Sequence, residues 1–293
     1  MSNKTKELMK KYNIRLTKSL GQNFLIDNNI IKKIVDSAGI SSSDLVIEVG
    51  AGIGNMTSEI ASRAGKVIAI EIDRHLIGAL TENLKSFDNV KIINNDILKL
   101  NIDKDILSLK NPVSESDEFV PERIKVVANL PYYVTTPIIM KFLEEATDIN
   151  MLVLMVQKEV ADRMVAQPGG KDYGVLSVAV QYYAKPEKIF DVSPGCFVPP
   201  PDVHSTVVRL NINKEPLVKV NNKEMFFKTV KAAFGQRRKT LVNALSNSGY
   251  FNFDKEKIKL ILHNLGISEN LRGEALSITQ FAELSNMFSQ EDC

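Results

Sequence analysis

Short apolar runs alternate with amphipathic stretches through the first two thirds of the chain. Leu45–Val49, Lys66–Glu71, Val90–Ile93, Ile124–Ala128 and Met151–Val156 are rich in Val, Ile and Leu and have the length of buried strands. Between them, Asn55–Arg63, Arg74–Lys85 and Ile138–Glu145 have helical character, with Leu76, Ile77, Leu80 and Leu84 on one side of the second. Strands separated by helices predict a parallel α/β sheet, and right-handed crossovers place helices on both faces. Ser193–Asp202 is too rich in proline for a helix or an interior strand, and Ser205–Ile212 resumes as a strand. After Pro216 the pattern turns helical, over 222–234, 237–247, 254–264 and 278–289. A polar, acidic stretch, Asn111–Glu118, makes the connection from Asp96 to Ile124 long for its kind and reads as a surface insertion. Two domains are expected, an α/β domain over 1–213 and a small all-α domain over 214–293, meeting near Asn213–Pro216.

Composition narrows the class. The 293 residues are 44% apolar and 25% charged, as in ordinary globular proteins, which excludes a disordered chain, a collagen or a coiled-coil rod. Two cysteines, Cys196 and Cys293, form no disulfide framework, and His75, His204 and His263 lack metal-ligand spacing, so no metal is expected. The longest apolar run, Met151–Val156, is far short of the roughly 20 residues that span a bilayer, and the basic N-terminus lacks a signal-peptide core. A cytoplasmic, reducing compartment with no membrane partner is the expectation. The net charge of +2 is uneven: +5 over 1–20, −6 over 21–199, +7 over 200–273 and −4 over the last twenty residues. Such asymmetry points toward a nucleic-acid partner, with solvated faces as the plainer reading.

Three strand ends carry polar elements. Glu48-Val-Gly-Ala-Gly-Ile-Gly54 closes the first strand and opens a helix, and glycines let a backbone approach a ligand closely. The spacing Gly50, Gly52, Gly54 departs from the dinucleotide GxGxxG and lowers that reading. Glu71, about twenty residues on, stands where a carboxylate accepts from both hydroxyls of a ribose. Asp96 follows the third strand, placed to accept from an adenine amino group. Each acid alone is commonplace, and Glu71 with Asp73 also reads as a cap for the next helix. Together the three form a coherent adenosine pocket.

The fourth strand ends in Asn129-Leu-Pro-Tyr132, an Asn-x-Pro-aromatic element similar to that of methyltransferases acting on planar amino groups. The lone pair of adenine N6 is delocalised into the ring. Hydrogen bonds from N6–H to the Asn129 oxygen and a backbone carbonyl favour a pyramidal, nucleophilic nitrogen. Pro131 restricts Leu130 to extended conformations and so fixes that carbonyl. Tyr132 is placed to stack on a flipped-out base. No strong general base is needed, and catalysis is mainly positioning and electrostatics. A proline turn followed by a core tyrosine is the competing reading.

With these residues in place, the chain from about Ser19 to Leu245 resembles the ribosomal RNA adenine dimethyltransferase family of the KsgA/RsmA type. Four motifs in order carry the likeness: Ser19-Leu-Gly-Gln-Asn-Phe-Leu25, Asn129-Leu-Pro-Tyr132, Phe197-Val-Pro-Pro-Pro-Asp-Val-His-Ser205 and Ala233-Phe-Gly-Gln-Arg-Arg-Lys-Thr-Leu-Val-Asn-Ala-Leu245. The acidic insertion, and Tyr133-Val-Thr-Thr-Pro137 where Asn-Ile-Ser-Thr-Pro is more usual, depart from it. The resemblance implies a Rossmann-like class I methyltransferase sheet plus a helical domain, with S-adenosylmethionine as donor. It places donor contacts at Asn23, Leu25, Gly50, Gly52, Glu71, Ile72, Asp96, Ile97 and Asn129. The reacting set would be Asn129, Leu130, Pro131 and Tyr132, with Phe197 helping to hold the target adenine. Lys10, Lys11, Arg15, Lys18, Arg237, Arg238 and Lys239 would face RNA, whereas Phe226, Phe227, Phe251 and Phe253 are expected in the core. The implied product is N6,N6-dimethyladenosine at two adjacent positions of the 3′-terminal hairpin loop of 16S rRNA, in the immature small subunit, made by a monomer. Large-subunit methylation and a mainly structural role in ribosome assembly are the alternatives.

Overall fold

The computed structural model describes residues 3–14, 23–110, 119–145 and 148–291. The chain divides into two compact units, Met1–Ala161 with Pro186–Ile212, and Asp162–Lys185 with Asn213–Cys293. The last division in the chain lies between Ile212 and Asn213. Residues 162–185, which the sequence pattern assigns to the α/β domain, pack instead with the C-terminal helices.

In chain order the elements are α1 (Asn3–Lys11), β1 (Phe24–Leu25), α2 (Asn28–Ser37), β2 (Asp44–Val49), α3 (Asn55–Ala61), β3 (Lys66–Glu71), α4 (Ile77–Leu84) and β4 (Val90–Asn94). Then come β5 (Arg123–Asn129), α5 (Thr135–Glu145), β6 (Ile149–Gln157), α6 (Lys158–Val165), α7 (Val175–Tyr183), β7 (Ala184–Val192), β8 (Phe197–Val198) and β9 (Ser205–Ile212). Four helices close the chain: α8 (Lys223–Gly235), α9 (Leu241–Ser246), α10 (Lys255–Asn264) and α11 (Ile278–Glu291).

The main sheet has the order β4-β3-β2-β5-β6-β9-β7. Its first five strands are parallel and β9 runs antiparallel to β6. Every residue of β2 is buried, as expected of a central strand covered on both faces. The unexpected β7, which contains Pro186, lies at the sheet's edge, where a proline is tolerated. At the amino ends of β2 and β5, Lys125 is 2% and Asp44 1% exposed, and they form an ion pair of 2.8 Å. The Lys125 ammonium also donates to the Gly39 carbonyl at 2.7 Å, so the buried charge is well partnered.

A separate pairing joins β1 to β8, with Phe24 opposite Val198 and Leu25 opposite Phe197. A two-residue strand has no periodicity to read, so this link is absent from the sequence pattern. In the second unit, α8, α9, α10 and α11 enclose Phe226, Phe281 and Phe288, each fully buried. Phe227, Phe251 and Phe253 pack against that core, in agreement with their expected role. The expected helix over 237–247 begins later, at Leu241. Its buried residues are Leu241, Val242, Ala244 and Leu245, and Arg237-Arg238-Lys239 lie on the preceding turn. Among the described residues, no helix is long and apolar enough to cross a membrane.

Candidate functional site

Because β3, β2 and β5 are neighbours, their carboxyl ends bring the glycine turn, Glu71 and Asn129 together. One cleft is lined by Gly50, Gly52, Glu71, Ile72 and the run Asn129–Tyr132, with Asn23 and Leu25 from the β1 segment. The turn needs its glycines: Gly50, Gly52 and Gly54 have φ of +79°, +60° and +85°. At Gly52 a Cβ would also meet the Phe24 ring at 2.9 Å.

Glu71 is 4% exposed and serves the turn rather than a helix. Its Oε2 accepts from the Gly52 N–H at 2.7 Å and its Oε1 from the Asp73 N–H at 2.8 Å. Burial raises its pKa, partly offset by these backbone donors. Asp73 accepts from the His75 N–H and closes a tight turn ahead of α4. Glu48, quoted in the motif but given no role from the sequence, also lines the cleft at 1% exposure. Burial pushes its pKa up to about 8, the neighbouring Glu71 charge adds to the rise and the Thr57 hydroxyl opposes it. Neither Glu48 Oε2 nor Thr57 Oγ1 has a hydrogen bond of good geometry among the described residues. A buried acid with an unused oxygen, beside a second buried acid, suits a cationic group.

The Asn129–Tyr132 run begins at the last residue of β5. Asn129 Nδ2 donates to the Asn23 carbonyl at 3.2 Å, which orients the amide and leaves its oxygen as the acceptor for an amino group. The Pro131 carbonyl accepts from the Val134 N–H at 3.2 Å and the Thr135 hydroxyl at 3.0 Å, which holds the turn. Tyr132 is half-buried and its hydroxyl is 2.8 Å from Ser205 Oγ. Tyr133, also lining the cleft, is 57% exposed.

Three expected site residues are not among those lining the cleft. Asp96 caps the turn over Ile97–Lys99, accepting from the Leu98 N–H at 3.0 Å, and Ile97 is buried. Asn94 locks the ends of β3 and β4 together by donating to the Glu71 carbonyl at 2.7 Å, which keeps Asp96 at the sheet's carboxyl edge. Phe197 lies away from the cleft lining. It is 2% exposed and packs in the core with Leu25 and Val192, because β8 pairs with β1 and turns the ring inward. It shares that core with Leu25, which lines the cleft.

Residues 13–290 match the family of ribosomal RNA adenine dimethylases. The chain belongs to this family. It is 51% identical over 288 residues to ribosomal RNA small subunit methyltransferase A of Alkaliphilus oremlandii, covering 98% of this chain and 97% of that one. It is 50% identical to the protein of the same name from Clostridioides difficile, covering 98% and 96%. A solved dimethyladenosine transferase from Plasmodium falciparum superposes with a TM-score of 0.76 at 26% identity, over 92% of this chain and 98% of that one. The 23S rRNA methyltransferase ErmE superposes with 0.65 at 25% identity, over 92% and 100%. The protein is an rRNA adenine dimethyltransferase that uses S-adenosylmethionine, in a class I methyltransferase fold.

The dimethyltransferase carries its expected basic residues in different states. Lys10 is exposed. The Lys11 ammonium instead contacts both carboxylate oxygens of Glu82, at 2.6 and 2.8 Å, and Tyr12 donates to the same carboxylate. These bonds fasten the end of α1 to α4. Arg15 and Lys18 lie outside the described residues. In the helical unit Arg237 donates to the Lys171 carbonyl and pairs with Glu274 at 3.4 Å, so it helps brace the turn. Arg238 and Lys239 are exposed beside it.

Proposed function

We propose that the enzyme dimethylates N6 of two adjacent adenosines in the 3′-terminal hairpin loop of 16S rRNA, within the immature small subunit, acting as a cytoplasmic monomer. The observation that carries this reading is the placement of Asn129–Tyr132 in the same cleft as Glu71 and the Gly50–Gly54 turn. The small-subunit names of relatives near half identity support the choice of subunit.

The donor is held by this chain as follows. Glu71 takes the ribose hydroxyls, the glycine turn lies against the methionyl part and Glu48 faces its positive charge. Asp96 and Ile97, at the neighbouring strand end, take the adenine edge. When bound, S-adenosylmethionine supplies an electrophilic methyl group. The Asn129 oxygen and the Leu130 carbonyl accept from N6–H of the target, and Tyr132 stacks on its ring. The proton leaves N6 after attack, when the nitrogen has become strongly acidic. Arg238 and Lys239 of the helical domain, with Lys10, contact RNA phosphates.

The test is mass spectrometry of rRNA after incubating purified small and large subunits with labelled donor. Label in two adjacent adenosines of the small subunit is expected. The likeness to ErmE makes large-subunit RNA the competing substrate, and exclusive labelling there overturns the proposal.

A further inference from the structure

We propose that Ser205 is a positioning residue for methyl transfer, holding the Tyr132 ring in the attitude that receives the target adenine. The proposal rests on the stacking role given to Tyr132 above. Tyr132 follows Pro131 on a short turn, so its backbone is set by the reacting element. Its ring is half-buried and would otherwise be steered by rotation about two side-chain bonds. The hydroxyl is tied 2.8 Å from Ser205 Oγ, fixing the far end of the ring as well.

Ser205 is suited to that task. It is 1% exposed and opens β9, paired opposite Gln157 at the end of β6. Its neighbour Thr206 is fully buried and donates to Asp191 at 2.7 Å, so the strand start is itself held. The preceding His204 carbonyl accepts from the Lys158 N–H at 2.9 Å. The anchor for the ring therefore comes from the antiparallel strand of the sheet, not from the loop that carries the ring. A stacking platform acts only when its plane is set before the base arrives, and loss of the anchor lowers the fraction of productive encounters.

Three variants and one double variant test the proposal, with kcat and KM measured on unmethylated small ribosomal subunits and donor affinity measured by titration calorimetry. Ser205→Ala and Tyr132→Phe each remove the same bond. Each should lower kcat/KM about tenfold with donor affinity unchanged. The double variant should show no further loss, because the bond is already absent. Additive losses, unchanged kcat/KM in both single variants, or a matching fall in donor affinity would overturn the proposal. If Ser205→Ala folds poorly by circular dichroism, Tyr132→Phe alone decides, since it leaves β9 intact. Tyr132→Ala separates the two levels of the argument. Full activity in that variant refutes stacking itself, whereas its loss beside a normal Tyr132→Phe refutes only the role of Ser205.

Discussion

Asn129 at the end of β5 donates its side-chain amide to the backbone carbonyl of Asn23, 106 positions earlier in the chain. The acceptor is main chain, so the bond survives side-chain replacement at Asn23 and is lost only by changing Asn129. It ties the Asn129 side chain to the segment that also walls the cleft.

Asn129→Ala removes the tether and, on the proposed reading, the acceptor for N6–H as well. Methyl transfer should fall by about 10²–10³-fold, the loss seen when one aligned polar group is removed from a reacting centre. Affinity for the small subunit should stay within about threefold, because phosphate contacts dominate it. Single-turnover rates and filter binding measure the two quantities. A transfer rate equal to wild type would exclude the mechanism, and growth of cells carrying the variant separates catalysis from any role in assembly.

Glu71→Gln keeps the shape of the side chain but sets an NH₂ group against one of two backbone donors, Gly52 N–H or Asp73 N–H. An unsatisfied buried polar group costs about 1–3 kcal/mol, so the folded state should lose about that much stability in chemical denaturation.

Glu48 links stability to pH. Its folded pKa, about 8, lies above the ordinary 4.5. Between these values the folded state holds a proton that the unfolded chain has released, so stability falls as pH rises through the window. Glu48→Gln removes that loss. Its Tm should match wild type near pH 5 and exceed it at pH 9 by at least about 2–4 °C, the shift of one kcal/mol in a domain of this size. Its donor affinity should fall at pH 9, where the wild-type carboxylate is charged, and change little near pH 5, where that carboxyl already holds its proton. A variant no more stable than wild type at pH 9 would refute the assignment.

Lys125→Met leaves Asp44 buried and charged without its partner. A loss of about 3–5 kcal/mol is expected in chemical denaturation. The pair sits at the opposite ends of β2 and β5 from the cleft, so the activity of the folded fraction should be unchanged.

Arg238 and Lys239 are tested through salt. Replacing both with Ala should weaken subunit binding without altering donor affinity. The slope of log affinity against log salt should fall by about 1–2, as expected for loss of one or two phosphate contacts. An unchanged slope would place these side chains away from the RNA.

The five parallel strands, the glycine turn, Glu71 and Asn129–Tyr132 were legible in the sequence because each is local. An apolar run with helices on either side declares a buried strand, and a strand end declares the edge where ligands meet the sheet. The Lys125–Asp44 pair, the β1–β8 link, the inward turn of Phe197 and the Ser205–Tyr132 bond join positions far apart in the chain. Residues 162–185 likewise joined the helical unit although nothing in their own pattern separates them from the sheet. Only packing chooses such partners, because burial of an aromatic ring or a charge depends on what covers it. Sequence alone therefore determined which chemical groups this dimethyltransferase brings to one edge of its sheet. Tertiary structure decided which of them line the cleft, which are tied to one another and which, like Phe197, pack in the core.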